Sequence, residues 1–147
     1  MTDLERINQY SIILGSASPR RRFLLAELGV KFESPGNHDA EESYPGHLQG
    51  EEIPLYLAKH KARSYARYMS EKTILITADT IVWLDGEVIG KPGDTEEAKE
   101  MLTRLSGRMH YVYTGVCLVS PRKEMSFTAE SKVYFRHLTR EEIEYYV

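Results

Sequence analysis

The amino-acid sequence predicts an α/β domain built on a mixed sheet. Short apolar runs alternate with helical segments in the order strand, helix, strand, helix, strands, helix, strands, helix. An Asp85-Gly86 pair between two apolar runs is a strong two-residue hairpin signal, so part of the sheet is antiparallel. The chain has 147 residues, 41% hydrophobic and 28% charged, which is the size and balance of one soluble domain over residues 1–147.

Each element has its own local reason. Ser11-Ile12-Ile13-Leu14 is an apolar run ending in Gly15-Ser16 and reads as a buried strand. Ser18 suits a helix N-cap and Pro19 the first helical position; that helix runs to Leu28 and stops at Gly29. Val30 to Glu33 reads as a second strand. Ser34 to Gly50 is rich in Gly, Pro and acids without a period, so it is a loop. A helix follows from Pro54 to Met69, with Leu55, Ala58, Ala62, Tyr65, Ala66 and Met69 as its core stripe. Thr73 to Ala78 is a buried strand, and Ile81–Leu84 and Glu87–Ile89 are the arms of the hairpin. Asp94 with Glu97 marks a capping box for a helix ending near Ser106-Gly107. Tyr111–Val119 and Ser126–Phe135 read as two long strands, and Thr139 with Glu142 opens a last helix.

Composition narrows the function classes. The formal net charge of −3 argues against nucleic acid or an anionic membrane surface as the bulk partner, so any anion binding must come from a local cluster. Cys117 is the only cysteine, which excludes an internal disulfide; it lies in an apolar run and reads as a small buried hydrophobe. The five histidines have no metal-ligand spacing, so no zinc site is expected. The N-terminus lacks the charge and apolar pattern of a signal peptide, and no apolar run reaches the roughly 20 residues of a membrane span; a cytoplasmic protein is expected.

The chemistry concentrates in a few places. Gly15-Ser16-Ala17-Ser18-Pro19-Arg20-Arg21 leaves a strand and enters a helix, where small residues and first-turn N–H groups favour an anion. Ser16 and Ser18 add hydroxyls, and Arg20 and Arg21 add forked donors that match phosphate. A capped helix with solvated arginines satisfies the same residues, although consecutive arginines at a helix N-terminus oppose its dipole. The segment lacks the Gly-Lys-Ser/Thr ending of a Walker A loop. Asp79 ends the apolar run Ile74–Ala78, where a carboxylate would hold Mg²⁺, act as a general base, or cap a turn. Counting back from the Asp85-Gly86 turn pairs Thr80 with Lys91, which places Lys91 diagonal to Asp79. Lys61 borders the apolar stripe of its helix, where its ammonium either reaches a cleft or stays solvated. The carboxylates Asp39, Glu41 and Glu42 form an acidic loop cluster that either completes a Mg²⁺ site or is solvated.

In this order, Ser16-Ala17-Ser18-Pro19-Arg20-Arg21, Asp39 to Glu42, Lys61-Ala62, Ala78-Asp79-Thr80, Gly90-Lys91-Pro92, Leu105-Ser106-Gly107-Arg108 and Tyr113-Thr114-Gly115-Val116 resemble the Maf-like family of nucleotide pyrophosphatases. The resemblance implies an elongated mixed sheet flanked by helices with a central cleft, similar to inosine triphosphatase-like folds. It implies hydrolysis of a nucleoside triphosphate to the monophosphate and pyrophosphate with a divalent metal, Mg²⁺ or Mn²⁺. Asp79 falls on the family's proton acceptor, Arg20 and Thr80 on its specificity positions, and Ser16, Arg21, Lys61 and Lys91 on phosphate contacts. Asp79, Glu41 and Glu42 are then the expected metal carboxylates. The Arg20 and Thr80 pairing is similar to the dTTP/UTP branch, with modified pyrimidine nucleotides as further substrates. The resemblance also implies a C-terminal segment beyond Tyr145-Tyr146-Val147 carrying a third specificity residue, so the chain reads as truncated relative to the family. His60 stands where the family often has Glu. A homodimer follows by analogy alone. The alternative reading is a non-catalytic nucleotide-binding or cell-division regulatory protein.

Overall fold

Thr2 and Glu5 satisfy each other's backbone N–H groups in a capping box, which starts a short helix α1 at Asp3–Ile7 that the periodicity alone does not reveal. The computed structural model of the chain describes residues 1–35 and 42–147. β1 is Ser11–Gly15, with Ile12, Ile13 and Leu14 buried. Ser18 caps α2 (Pro19–Glu27) by accepting from the Arg21 N–H, and β2 is the short Phe32–Glu33. The helix expected to run to Met69 instead divides. α3 is Glu52–Arg63, and a 3₁₀ turn occupies Ala66–Tyr68. The Ser64 hydroxyl bonds back to the Lys61 carbonyl at 2.6 Å where α3 ends, a local competition typical of serine. Burial on α3 falls on Ile53, Pro54, Ala58 and Ala62, while Leu55 is half-buried and Ala66 exposed.

The main correction concerns the central strand. Thr73–Ala78 and Ile81–Leu84 are not separate strands but one, β3 (Thr73–Leu84). β4 (Glu87–Ile89) returns through Asp85 and Gly86, whose φ angles of 52° and 77° fit the turn expected of that pair. α4 is Thr95–Leu105, capped by Asp94; the Glu97 carboxylate, however, bonds the Gly93 N–H. β5 (Met109–Val119) and β6 (Glu124–Tyr134) are the two long strands, and α5 (Arg140–Tyr146) opens on the Thr139–Glu142 capping box.

Among the described residues, six strands form one mixed sheet in the order β2-β1-β3-β5-β6, with β4 on β3. β1 pairs with β2 and β3 in parallel; the remaining pairs are antiparallel. α3 covers one face. Thr77, fully buried, fixes it there by donating to the Ala58 carbonyl at 2.7 Å. Two apolar clusters follow on that face: Ile13, Ala58, Ala62, Tyr65, Leu75 and Cys117 in one, and Ile53, Ile81 and Tyr113 in the other. Side chains alternate along a strand, so Leu75, Thr77, Asp79 and Ile81 share the α3 face, and Asp79 lies between the clusters.

Candidate active site at a break in the sheet edge

The register of β3 creates an opening. β5 runs along one edge of β3 without interruption from Leu75 to Trp83. The other edge is shared: β1 takes Thr73–Thr77 and β4 takes Val82–Leu84. Among the described residues, Ala78 to Ile81 therefore have no ladder partner on that edge. Buried backbone groups left unpaired are costly, so other donors must fill the break. Arg21 Nη1 from α2 and Lys61 Nζ from α3 both donate to the Ala78 carbonyl, each at 3.1 Å. Two cations thus converge on one neutral oxygen beside Asp79. Lys61 Nζ is also 3.7 Å from Asp79 Oδ1.

Arg21 is fixed by further contacts. Its Nη2 donates to Thr80 Oγ1 at 2.9 Å, and its Nη1 approaches Ser16 Oγ at 3.4 Å. Ser16 Oγ, on a buried residue, also accepts from the Ser18 N–H at 3.1 Å, so Ser16 braces the turn between β1 and α2. Thr80 Oγ1 in turn lies 3.0 Å from Thr114 Oγ1 on β5. The cleft over the break has a volume of about 530 Å³ and is lined by the polar Glu42, Asp79, Thr80 and Lys91 and by the apolar Leu57, Ile81 and Val88, among others.

Electrostatics at Asp79 are opposed. Burial pushes its carboxyl above the ordinary range and outweighs Lys61, Arg21 and Lys91, which pull it down; Glu42 pushes it further up. Among the described residues, no three His, Cys, Asp or Glu side chains cluster as a metal cage. Asp79 and Glu42 on one cleft are nevertheless the kind of donor set that Mg²⁺ takes when phosphate oxygens and waters complete its shell.

The sequence-predicted residues are thus distributed unevenly. Asp79, Thr80, Lys91 and Glu42 meet in the cleft, and Arg21, Lys61 and Ser16 join them through Ala78 and the turn. Lys91 arrives by a route other than the one expected. The hairpin ladder stops at Val82 with Ile89, and Thr80 pairs with Thr114, so Lys91 reaches the cleft from the segment after β4. Asp79 is likewise mid-strand in β3, and the strand end beside it is that of β1. Arg20 is exposed on α2, and it is Arg21 that reaches Thr80. Asp39 and Glu41 lie outside the described residues.

Thr114 and Gly115 were given no role by sequence reasoning. Gly115 pairs with Asp79, and a Cβ there would sit 2.4 Å from the Leu55 nitrogen and 2.5 Å from the Pro54 carbonyl. The absent side chain lets α3 lie against the sheet at the level of the site. A glycine inside a long apolar strand was the available signal of such a close approach.

Together the fold and the site define an α/β protein with a cleft at whose edge cations gather around a half-buried carboxylate. The sequence profile described as Maf-like protein matches residues 11–147, and the chain belongs to that family. It is 50% identical over 144 residues to the dTTP/UTP pyrophosphatase of Phocaeicola vulgatus, an alignment covering 98% of this chain and 75% of that relative. It is 51% identical over 144 residues to the dTTP/UTP pyrophosphatase of Bacteroides thetaiotaomicron, with the same coverage of 98% and 75%. Among solved structures, the fold is similar to the Staphylococcus aureus Ham1 protein, with a TM-score of 0.59 and 16% identity over 84% of this chain and 71% of that one. A HAM1 protein from Coxiella burnetii gives a TM-score of 0.51 and 14% identity over 85% and 72% of the two chains. These structures bear out the expected inosine triphosphatase-like architecture. Among the described residues, no helix is long and apolar enough to cross a membrane.

Proposed function

We propose that this chain is a single-domain nucleoside triphosphate pyrophosphatase acting on dTTP and UTP, with modified pyrimidine nucleotides as further substrates. One observation carries the reading: Arg21 and Lys61 converge on the Ala78 carbonyl beside Asp79. An ordinary strand carbonyl does not need two cations, whereas a triphosphate laid in the cleft does. The family and its dTTP/UTP pyrophosphatase relatives supply the substrate class.

In this reading the triphosphate lies along the turn from Ser16 to Arg21, with Lys61 and Lys91 on its phosphates. Asp79 orients a water and takes its proton as the water oxygen attacks the α-phosphorus. The bond between the α- and β-phosphates breaks, and the monophosphate and pyrophosphate leave. Arg21, Lys61 and Lys91 neutralise the charge that develops on the phosphate oxygens, placed before the reaction begins. Asp79, Glu42 and Glu41 would hold Mg²⁺ or Mn²⁺, which when bound adds charge neutralisation on the phosphates. Arg20 and Thr80 are assigned to nucleotide selectivity. The proposed setting is the cytoplasm, with the nucleotide rather than nucleic acid or membrane as partner, and a homodimer by analogy with the family. Product analysis tests the bond assigned. With dTTP or UTP and Mg²⁺, monophosphate and pyrophosphate should appear together; diphosphate with orthophosphate would contradict attack at the α-phosphorus.

A further inference from the structure

We propose that Thr114 is a positioning residue that acts through Thr80 to hold the Arg21 guanidinium in its anion-binding pose. The inference rests on the hydrolase reading for the identity of the anion, and on geometry for the rest.

Among the described residues the Arg21 guanidinium has three anchors, and they differ in stiffness. The Ala78 carbonyl belongs to the backbone of β3, so the sheet fixes it. Ser16 Oγ is buried and already held by the Ser18 N–H. Thr80 Oγ1 is on an exposed side chain, and rotation about χ1 moves the oxygen itself. Its other partner among the described residues is Thr114 Oγ1, 3.0 Å away. The two threonines stand directly opposite on β3 and β5, so their side chains share a face at the shortest cross-strand spacing.

The hydrogen-bond inventory makes the dependence directional. A guanidinium only donates, so Thr80 Oγ1 must accept from Arg21. Thr80 has one proton of its own, and Thr114 is the group beside it able to accept that proton or to donate in exchange. Either arrangement leaves the Thr80 oxygen turned to Arg21. Without the Thr114 hydroxyl, Thr80 loses its second partner and its side chain is free to change χ1 rotamer, which carries Oγ1 away from Arg21. Arg21 then keeps its Nη1 contacts but loses the bond at Nη2, and its long side chain regains rotamer freedom that binding must remove again.

The test is a double-mutant cycle with inorganic pyrophosphate as the probe. Titration calorimetry measures its dissociation constant for the wild-type chain, Thr114→Val, Thr114→Ser, Arg21→Ala and the Arg21→Ala/Thr114→Val double variant. Thr114→Val should weaken binding about tenfold, the scale of one hydrogen bond to a charged group. Thr114→Ser, which keeps the hydroxyl, should restore most of it. In the Arg21→Ala background Thr114→Val should add nothing, because the group it positions is gone. In turnover of UTP the loss should appear in kcat as well as in KM, because the reading has Arg21 neutralise charge that develops during the reaction.

Wild-type pyrophosphate affinity in Thr114→Val would overturn the proposal. So would a Thr114→Ser loss as large as that of Thr114→Val, or an equal Thr114→Val loss in both backgrounds. Thr114→Ala bears the same expectation if Thr114→Val does not fold. A wild-type chain that binds pyrophosphate but hydrolyses no triphosphate would sink the hydrolase reading alone, and the binding cycle would still decide the role of Thr114. A wild-type chain that does not bind pyrophosphate overturns the role of Thr114 directly.

Discussion

Burial between the two apolar clusters raises the Asp79 carboxyl above its ordinary range even with Lys61 3.7 Å away. The sign of the consequence follows from linkage. A carboxyl with a raised folded-state pKa contributes stability below its unfolded value near 3.8 that is lost as pH rises through the folded value. At neutral pH the ionised form is therefore a cost, and Asp79→Asn should raise the melting temperature. With Asp79 as the proposed base, which acts in its ionised form, the acid limb of the rate should lie above the usual carboxylate range. A melting temperature lowered by Asp79→Asn would contradict this electrostatic account. Cys117 is shifted in the same direction. It is fully buried, and burial together with the Glu124 carboxylate 3.4 Å away pushes its thiol up to about 11. At about pH 8 the folded chain should therefore resist a thiol-specific reagent that labels the urea-unfolded chain within minutes. Rapid labelling of the folded chain would show that the cluster around Cys117 opens.

At the scale of elements, the position of α3 decides whether Lys61 reaches the site. Gly115 sets that position, because backbone atoms of Pro54 and Leu55 occupy the space of a Cβ. Backbone cannot swing aside as a side-chain tip can. Gly115→Ala should therefore destabilise by about 1–3 kcal/mol, read from the urea midpoint. It should also slow turnover on the order of 100-fold, because Lys61 shifts with its helix. A wild-type midpoint and rate would mean that α3 is free to retreat. The same elements show what the sequence made legible. Ser18 and Pro19 announced α2, Asp85-Gly86 announced the hairpin, and Thr139 with Glu142 announced α5, because each signal is satisfied within a few residues. The convergence on Ala78 was not legible, since Arg21 and Lys61 are 57 and 17 residues away from it. Nor was the register of Lys91: counting along the hairpin assumes that β4 continues, and it ends at Ile89.

The whole molecule is organised by the way β3 serves two sets of partners. It is parallel to β1 in its first half and antiparallel to β4 in its second, and the candidate site lies at the break between them. Pattern and composition predict a mixed sheet, but only the fold places a strand end, a helix N-terminus and a second helix around one carbonyl. Stability of the whole also has a pH signature. His110 is buried against Phe135, and burial lowers its pKa below 6.5. The unfolded chain then binds the extra proton, so His110 contributes stability above that value that is lost as pH falls. Melting temperature should fall between about pH 7.5 and pH 5.5, and His110→Phe should flatten that slope. An unchanged slope in the variant would assign the acid sensitivity elsewhere.

The central claim is that the convergence on Ala78 serves hydrolysis at Asp79. Its most direct measurement is pyrophosphate release from dTTP and UTP by the wild-type chain and by Asp79→Asn, side by side with Mg²⁺. Turnover by the wild type and a loss on the order of 10²–10⁴-fold in Asp79→Asn, with nucleotide still bound, is the expected result. Equal turnover by the two proteins would contradict it.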